Sequence, residues 1–172
     1  MIRKSRYSAN KDVAGLDYDN YLIHCRWMEY AIALAETAGD LGEVPVGAVV
    51  IDEHGKLLAA AANRKIRDKD PTAHAEIIAI RSATKSLKTS YLSNCILYVT
   101  LEPCPMCAGA IIHSRLGLLV YGADDPKTGA IRSVANLPDS YCSNHRLQVL
   151  PGINEVCCRQ QLQQWFSRQR YN

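Results

Sequence analysis

A three-layer α/β/α sandwich around a mixed, mostly parallel five-stranded sheet is the fold this sequence predicts. First, helix-patterned and strand-patterned stretches alternate from Ala75 onward, as Ala75–Leu87, Ile96–Leu101, Cys104–His113 and Leu118–Tyr121. That alternation signals parallel strands joined through right-handed crossovers. Second, Val46–Ile51 and Lys56–Ala62 read as strands joined at Asp52-Glu53-His54-Gly55, a hairpin signal that makes the sheet mixed. Third, His74-Ala75-Glu76 and Pro103-Cys104-Pro105-Met106-Cys107 each stand where a helix opens, with a strand between them. In a sheet with parallel strands such openings share the carboxyl edge, so the two motifs should meet.

The elements follow in order. Residues 1–19 are polar and irregular and read as a mobile extension before a single domain over residues 20–172. From about Asn20 to Ala38, the residues Leu22, Trp27, Ala31, Leu34, Ala35 and Ala38 recur at helical spacing, and Gly39 ends the run. His54 is a turn residue of the hairpin. Asp70-Pro71-Thr72 stiffens the chain before the next helix. Residues two apart on a regular helix face away from each other, so His74 must sit at the helix boundary if it is to act with Glu76. Pro103 suits a first helical position, where its missing N–H costs nothing, and this places Cys104 and Cys107 on one face of an opening turn. Arg146–Leu150 adds a last strand, and Glu155 to about Arg170 a closing helix.

Composition sets the class. A chain of 172 residues suits one domain, which at this size buries roughly 70% of the surface its unfolded form exposes. No apolar run is long enough to cross a membrane. The basic start, Met1–Arg6, is not followed by an apolar signal core, and Asp12, Asp17 and Asp19 argue against a transit peptide, so a cytoplasmic location is expected. A net charge of +3 does not by itself indicate nucleic-acid binding. Of seven cysteines, Cys25, Cys95, Cys142, Cys157 and Cys158 stand outside the paired motifs and read as free thiols of a reducing compartment.

The paired motifs carry the chemistry. A structural zinc is closed by four protein ligands, whereas a catalytic zinc keeps three and leaves its fourth position to water. His74, Cys104 and Cys107 make three, which implies one Zn²⁺ per chain, and Glu76 is the free carboxylate that moves protons. The positive end of the helix dipole favours the thiolate forms.

With these motifs the chain resembles the zinc-dependent nucleoside and nucleobase deaminases, whose known signature is H-x-E with P-C-x-x-C, and among them the bacterial tRNA-specific adenosine deaminases. The resemblance runs from about Trp27 to Phe166. It includes Glu43-Val44-Pro45-Val46-Gly47-Ala48, the segment Asp70 to Ile77, Tyr98 to Cys104, Lys127-Thr128-Gly129-Ala130 and Asn144-His145-Arg146. It implies a cytidine-deaminase-like fold, and hydrolysis of adenosine to inosine at the wobble position of a tRNA anticodon, an arginine tRNA foremost. It also implies a homodimer that uses no nucleotide cofactor. By resemblance Asn63 contacts the nucleoside, Val44 and the Pro103 region line its pocket, and Asp125 lies near the ribose. Lys127, His145, Arg146, Arg168 and Arg170 are the candidates for phosphate contacts, and Trp165 and Phe166 for base stacking or packing of the last helix. The segment before Cys25 is longer than usual for the family, and the tail after Phe166 is short. Two other readings stand beside this one: a deaminase of a free base or nucleotide such as cytosine, guanine or deoxycytidylate, and a noncatalytic zinc-bearing RNA-binding subunit. The Lys127 and Asn144 segments argue against the first, and Glu76 against the second.

Overall fold

The computed structural model describes residues 17–170. Its elements run α1 (Tyr18–Asp40), β1 (Gly47–Asp52), β2 (Leu57–Ala62), α2 (Ala75–Leu87), β3 (Cys95–Leu101), α3 (Pro105–His113), β4 (Leu118–Ala123), β5 (Gln148–Pro151) and α4 (Glu155–Gln169). The five strands lie in the order β2-β1-β3-β4-β5. β1 pairs antiparallel with β2 and with β3, while β3–β4 and β4–β5 are parallel. β1 therefore runs against the other four strands, and the sheet is mixed and mostly parallel as expected.

The strand order differs from a simple crossover in one respect: β3 does not pair with β2, because β1 lies between them. The cause is visible in β1 itself. Gly47 to Ile51 are buried in succession, on both faces of the sheet, which suits a central strand and not an edge. The site is unaffected, since β2 and β3 still point the same way and their following connections leave the same edge.

Alternate residues feed two cores. On one face Ala75, Ala79, Ile80 and Ala83 of α2, with Ala108 and Ile111 of α3, pack on Ala48, Val50, Leu97, Val99 and Leu119. On the other, Met28 and Ala31 of α1 and Cys158 of α4 pack with Val49, Ile51, Tyr98 and Val120. Burying each larger aliphatic side chain contributes roughly 1.5–3 kcal/mol. All seven cysteines are free thiols; Cys25, Cys95 and Cys158 are buried in the two cores.

Both ends of α1 depart from the periodicity. Asp17 caps it by accepting from the Asn20 amide at 3.0 Å, so residues 17–19 belong to the helix start, and the rest of the expected extension, residues 1–16, lies outside the described residues. Gly39 does not end it. A Cβ there would come within 3.2 Å of Trp165 Cδ1, and the Gly39 carbonyl accepts from Trp165 Nε1 at 3.2 Å. The glycine admits the indole that docks α4 onto α1, which is the work Trp165 does in this fold. Among the described residues no helix is long and apolar enough to cross a membrane.

Candidate active site

His74 is the N-cap of α2 and Cys104 the N-cap of α3, both with extended backbone and neither making a side-chain cap bond. Pro105, not Pro103, takes the first position of α3, because the chain stays extended through Cys104 while the Pro103 carbonyl accepts from the Ala130 amide at 2.9 Å. Cys107 then stands in the first turn. His74 Nδ1 lies 3.7 Å from Cys104 Sγ and 3.6 Å from Cys107 Sγ. Tetrahedral zinc with ordinary bond lengths places its nitrogen and sulfur ligands about 3.6 Å apart. The three donor atoms lie within 4.8 Å of one another, so this group could hold a metal ion.

Glu76 sits in the first turn of α2 and is 4% exposed. Its Oε2 is buried with no hydrogen-bond partner, an arrangement natural proteins keep where function uses it. Burial foremost, and then the Cys104 thiolate, raises its carboxyl above the ordinary range. The hydrogen bond from Cys107 leads in drawing the Cys104 thiol down to about 4, and His74 adds to it. Cys107 moves the opposite way, raised by that same hydrogen bond and by burial, so it carries the proton of the thiol pair. His74 is raised, chiefly through its bond to Cys104. A thiolate, a thiol whose proton a metal can replace and an imidazole fit a soft divalent ion. The donor set fits zinc.

The site opens on a cavity of about 300 Å³ whose lining includes His74, Glu76, Cys104, Val44, Asn63 and Asp125. Asn63 is already partly committed. Its Oδ1 accepts from the Ala75 amide at 2.9 Å, which satisfies one open donor of α2, and its Nδ2 donates to the Val44 carbonyl at 3.1 Å. Asp125 is engaged too, accepting from the Lys127 and Thr128 amides at 2.9 and 3.2 Å. Pro103 is buried outside this lining, and Lys127, His145 and Arg146 do not reach it. The half-buried His145 donates from Nε2 to the Leu116 carbonyl at 2.6 Å, so that nitrogen serves the fold and is not free for an RNA phosphate.

Two carboxylates have no assigned role in the sequence reading. Glu43 is buried, lines the cavity, and accepts from the Ile66 and Arg67 amides at 2.8 and 2.9 Å, which pins one lip of the opening. Glu102 is buried on the other side and holds the segment from Asp125 to Ser133. The signal available in the sequence is position alone: Glu43 opens the segment Glu43–Ala48 and Glu102 lies within Tyr98–Cys104, both segments that carry the family resemblance. Lys65 and Ile66 also line the opening.

A His/Cys/Cys group beside a buried glutamate, at the carboxyl edge of an α/β/α sheet, defines a deaminase. The MafB19-like deaminase family model matches residues 23–168. The chain is 49% identical over 145 residues to the tRNA-specific adenosine deaminase of Haemophilus influenzae, covering 84% of each. It also superposes with a TM-score of 0.77 on a solved structure from work on A-to-I editing by tRNA:A34 deaminases at the wobble position of transfer RNA, at 41% identity over 79% of this chain and 98% of that one. Guanine deaminase from Nitrosomonas europaea is similar at a TM-score of 0.70 and 28% identity, over 83% of this chain and 84% of that one. The chain belongs to the family of tRNA-specific adenosine deaminases.

Proposed function

We propose that this enzyme hydrolyses adenosine to inosine at the wobble position of a tRNA anticodon, arginine tRNA foremost, in the cytoplasm, as a homodimer without a nucleotide cofactor. The observation that carries the reading is the buried Glu76 carboxylate facing a cavity that His74 and Cys104 also line. His74, Cys104 and Cys107 hold one zinc ion, which supplies a Lewis acid that lowers the pKa of water. Glu76 accepts one proton of the attacking water and delivers it to the purine ring nitrogen N1; it then takes the proton of the hydroxyl formed on C6 and gives it to the amine as the C6–N bond breaks, leaving inosine and ammonia. Val44 packs against the base, the remaining N–H of the Asn63 amide faces the nucleoside, and Asp125 stands near the ribose. Lys127 and Arg146 meet phosphates beyond the cavity.

The testing experiment compares inosine formation in an anticodon stem-loop with turnover of free adenosine, cytosine and guanine. The stem-loop should react far faster, because binding energy from flanking nucleotides is needed to orient the reacting base. Efficient turnover of a free base with none of the RNA would move the assignment to the small-molecule deaminases, to which the guanine deaminase likeness points. Each neutralised phosphate releases counterions, so turnover at subsaturating RNA should fall as salt rises, and neutralising Lys127 and Arg146 should flatten that slope. Metal analysis of the purified protein should return one zinc per chain; a ratio near zero after mild purification would refute the ligand set. Light scattering at micromolar concentration should give twice the chain mass; Ala108, Ile111 and Ile112 are buried in the chain's own core, so the proposed isologous contact on α3 is its outer face at Met106, Gly109 and Ala110.

A further inference from the structure

Glu102 follows the last residue of β3 and is 2% exposed, and its partners are amides and a hydroxyl. Its Oε1 accepts from the backbone amides of Ile131, Arg132 and Ser133 at 3.1, 2.7 and 3.0 Å. Its Oε2 accepts from the Asp125 amide at 3.0 Å and from the Ser133 hydroxyl. An ionised carboxylate only accepts, and buried it is costly unless its lone pairs are filled, so this segment is wound to fill them. Gly129 shows how closely: a Cβ there would lie 2.3 Å from Glu102 Oε2. The same segment carries Asp125 and Thr128 into the cavity wall, and the Thr128 hydroxyl donates to Asp125 at 2.6 Å.

We propose that Glu102 is a positioning residue. It holds residues 125–133 as the wall against which an adenosine within RNA is oriented, and so sets the preference for structured RNA over a free nucleoside. It lines the cavity, but both its oxygens are filled by residues 125–133, so it acts through Asp125 and Thr128. The proposal rests on the tRNA reading given above.

The test is Glu102→Gln. The amide oxygen, placed at Oε1, still accepts from residues 131–133, and Ser133 turns its hydroxyl to accept from the new NH₂ group. The Asp125 amide alone then faces a donor, which frees the end of the segment that reaches the cavity. With the wild type active on the stem-loop, Glu102→Gln should melt cooperatively, keep its zinc, and raise KM for the stem-loop about tenfold or more, on the scale of losses caused by misplacing a substrate. Its kcat should change much less, and its residual turnover of free adenosine should match the wild type. Gly129→Ala keeps the carboxylate but crowds it, and should reproduce the KM rise. An unchanged kcat/KM on the stem-loop, an equal loss on stem-loop and free adenosine, or loss of zinc would each overturn the positioning role. A wild type inactive on the stem-loop would instead overturn the tRNA reading, and this proposal with it.

Discussion

Replacing Glu76 with glutamine should cut deamination about 10²–10⁴-fold while leaving fold and metal in place, the range a positioned general acid and base contributes. The amide matches the carboxylate in size, so Ala75, Ile77 and Ala79 of α2 keep their packing. What it loses is the ability to take a proton at Oε2, the buried atom that has no partner in the fold. Burial raises the Glu76 carboxyl above 4.5, which brings it nearer the working pH, where transfer in both directions is efficient. The same shift predicts a stability effect. Between 4.5 and the raised value the folded metal-free chain holds a proton that the unfolded chain has lost. Its stability is therefore highest below that window and falls as pH rises through it. Glutamine removes this slope, so the metal-free variant should melt no lower than the wild type at neutral pH. Inosine formation, zinc content and thermal unfolding measured together decide the matter; near-normal turnover would end the proton-transfer role.

The site was legible where its logic is local. His74 falls at a helix boundary because a histidine and a glutamate two residues apart cannot share a helix face, and the structure makes His74 the N-cap of α2. Cys104 and Cys107, three apart at a helix start, come together for the same kind of reason. Partners distant in sequence were not legible. β1 is a hairpin strand by its turn, yet its place between β2 and β3 depends on which strand the two cores bury from both sides. Glu43 and Glu102 carry the residue type of a solvated surface, and their partners are backbone amides of loops 23 and more residues away, which leave no mark in the sequence. His145 has the type of an RNA contact, but its ring nitrogen is held by a carbonyl 29 residues earlier. Local rules bring His74, Cys104 and Cys107 into a group that could hold a metal ion; the loops that shape the cavity depend on long-range backbone bonds.

Cys107→Ala should fail in a different way from Glu76→Gln, losing the metal and the activity together. Two donors, His74 Nδ1 and Cys104 Sγ, would remain of a set in which catalytic zinc requires three. The fold should survive, since Cys107 is one small buried side chain in the first turn of α3 and its neighbours Ala108 and Ile111 keep their places in the core. Proton bookkeeping gives an independent readout. In the metal-free pair Cys104 is drawn to about 4 and is a thiolate at neutral pH, while Cys107 is raised and holds its proton. His74 is raised as well, chiefly by its bond to Cys104, so it holds a proton more firmly than a free imidazole does. Zinc must displace these protons, and wild-type affinity should therefore rise with pH and fall in acid. Calorimetry in buffers of different ionisation enthalpy should show proton release on zinc binding by the wild type, and a smaller release with much weaker binding by Cys107→Ala. A Cys107→Ala enzyme that kept its full zinc content would remove Cys107 from the ligand set, and with it the reason the chain brings the first turn of α3 against the N-cap of α2.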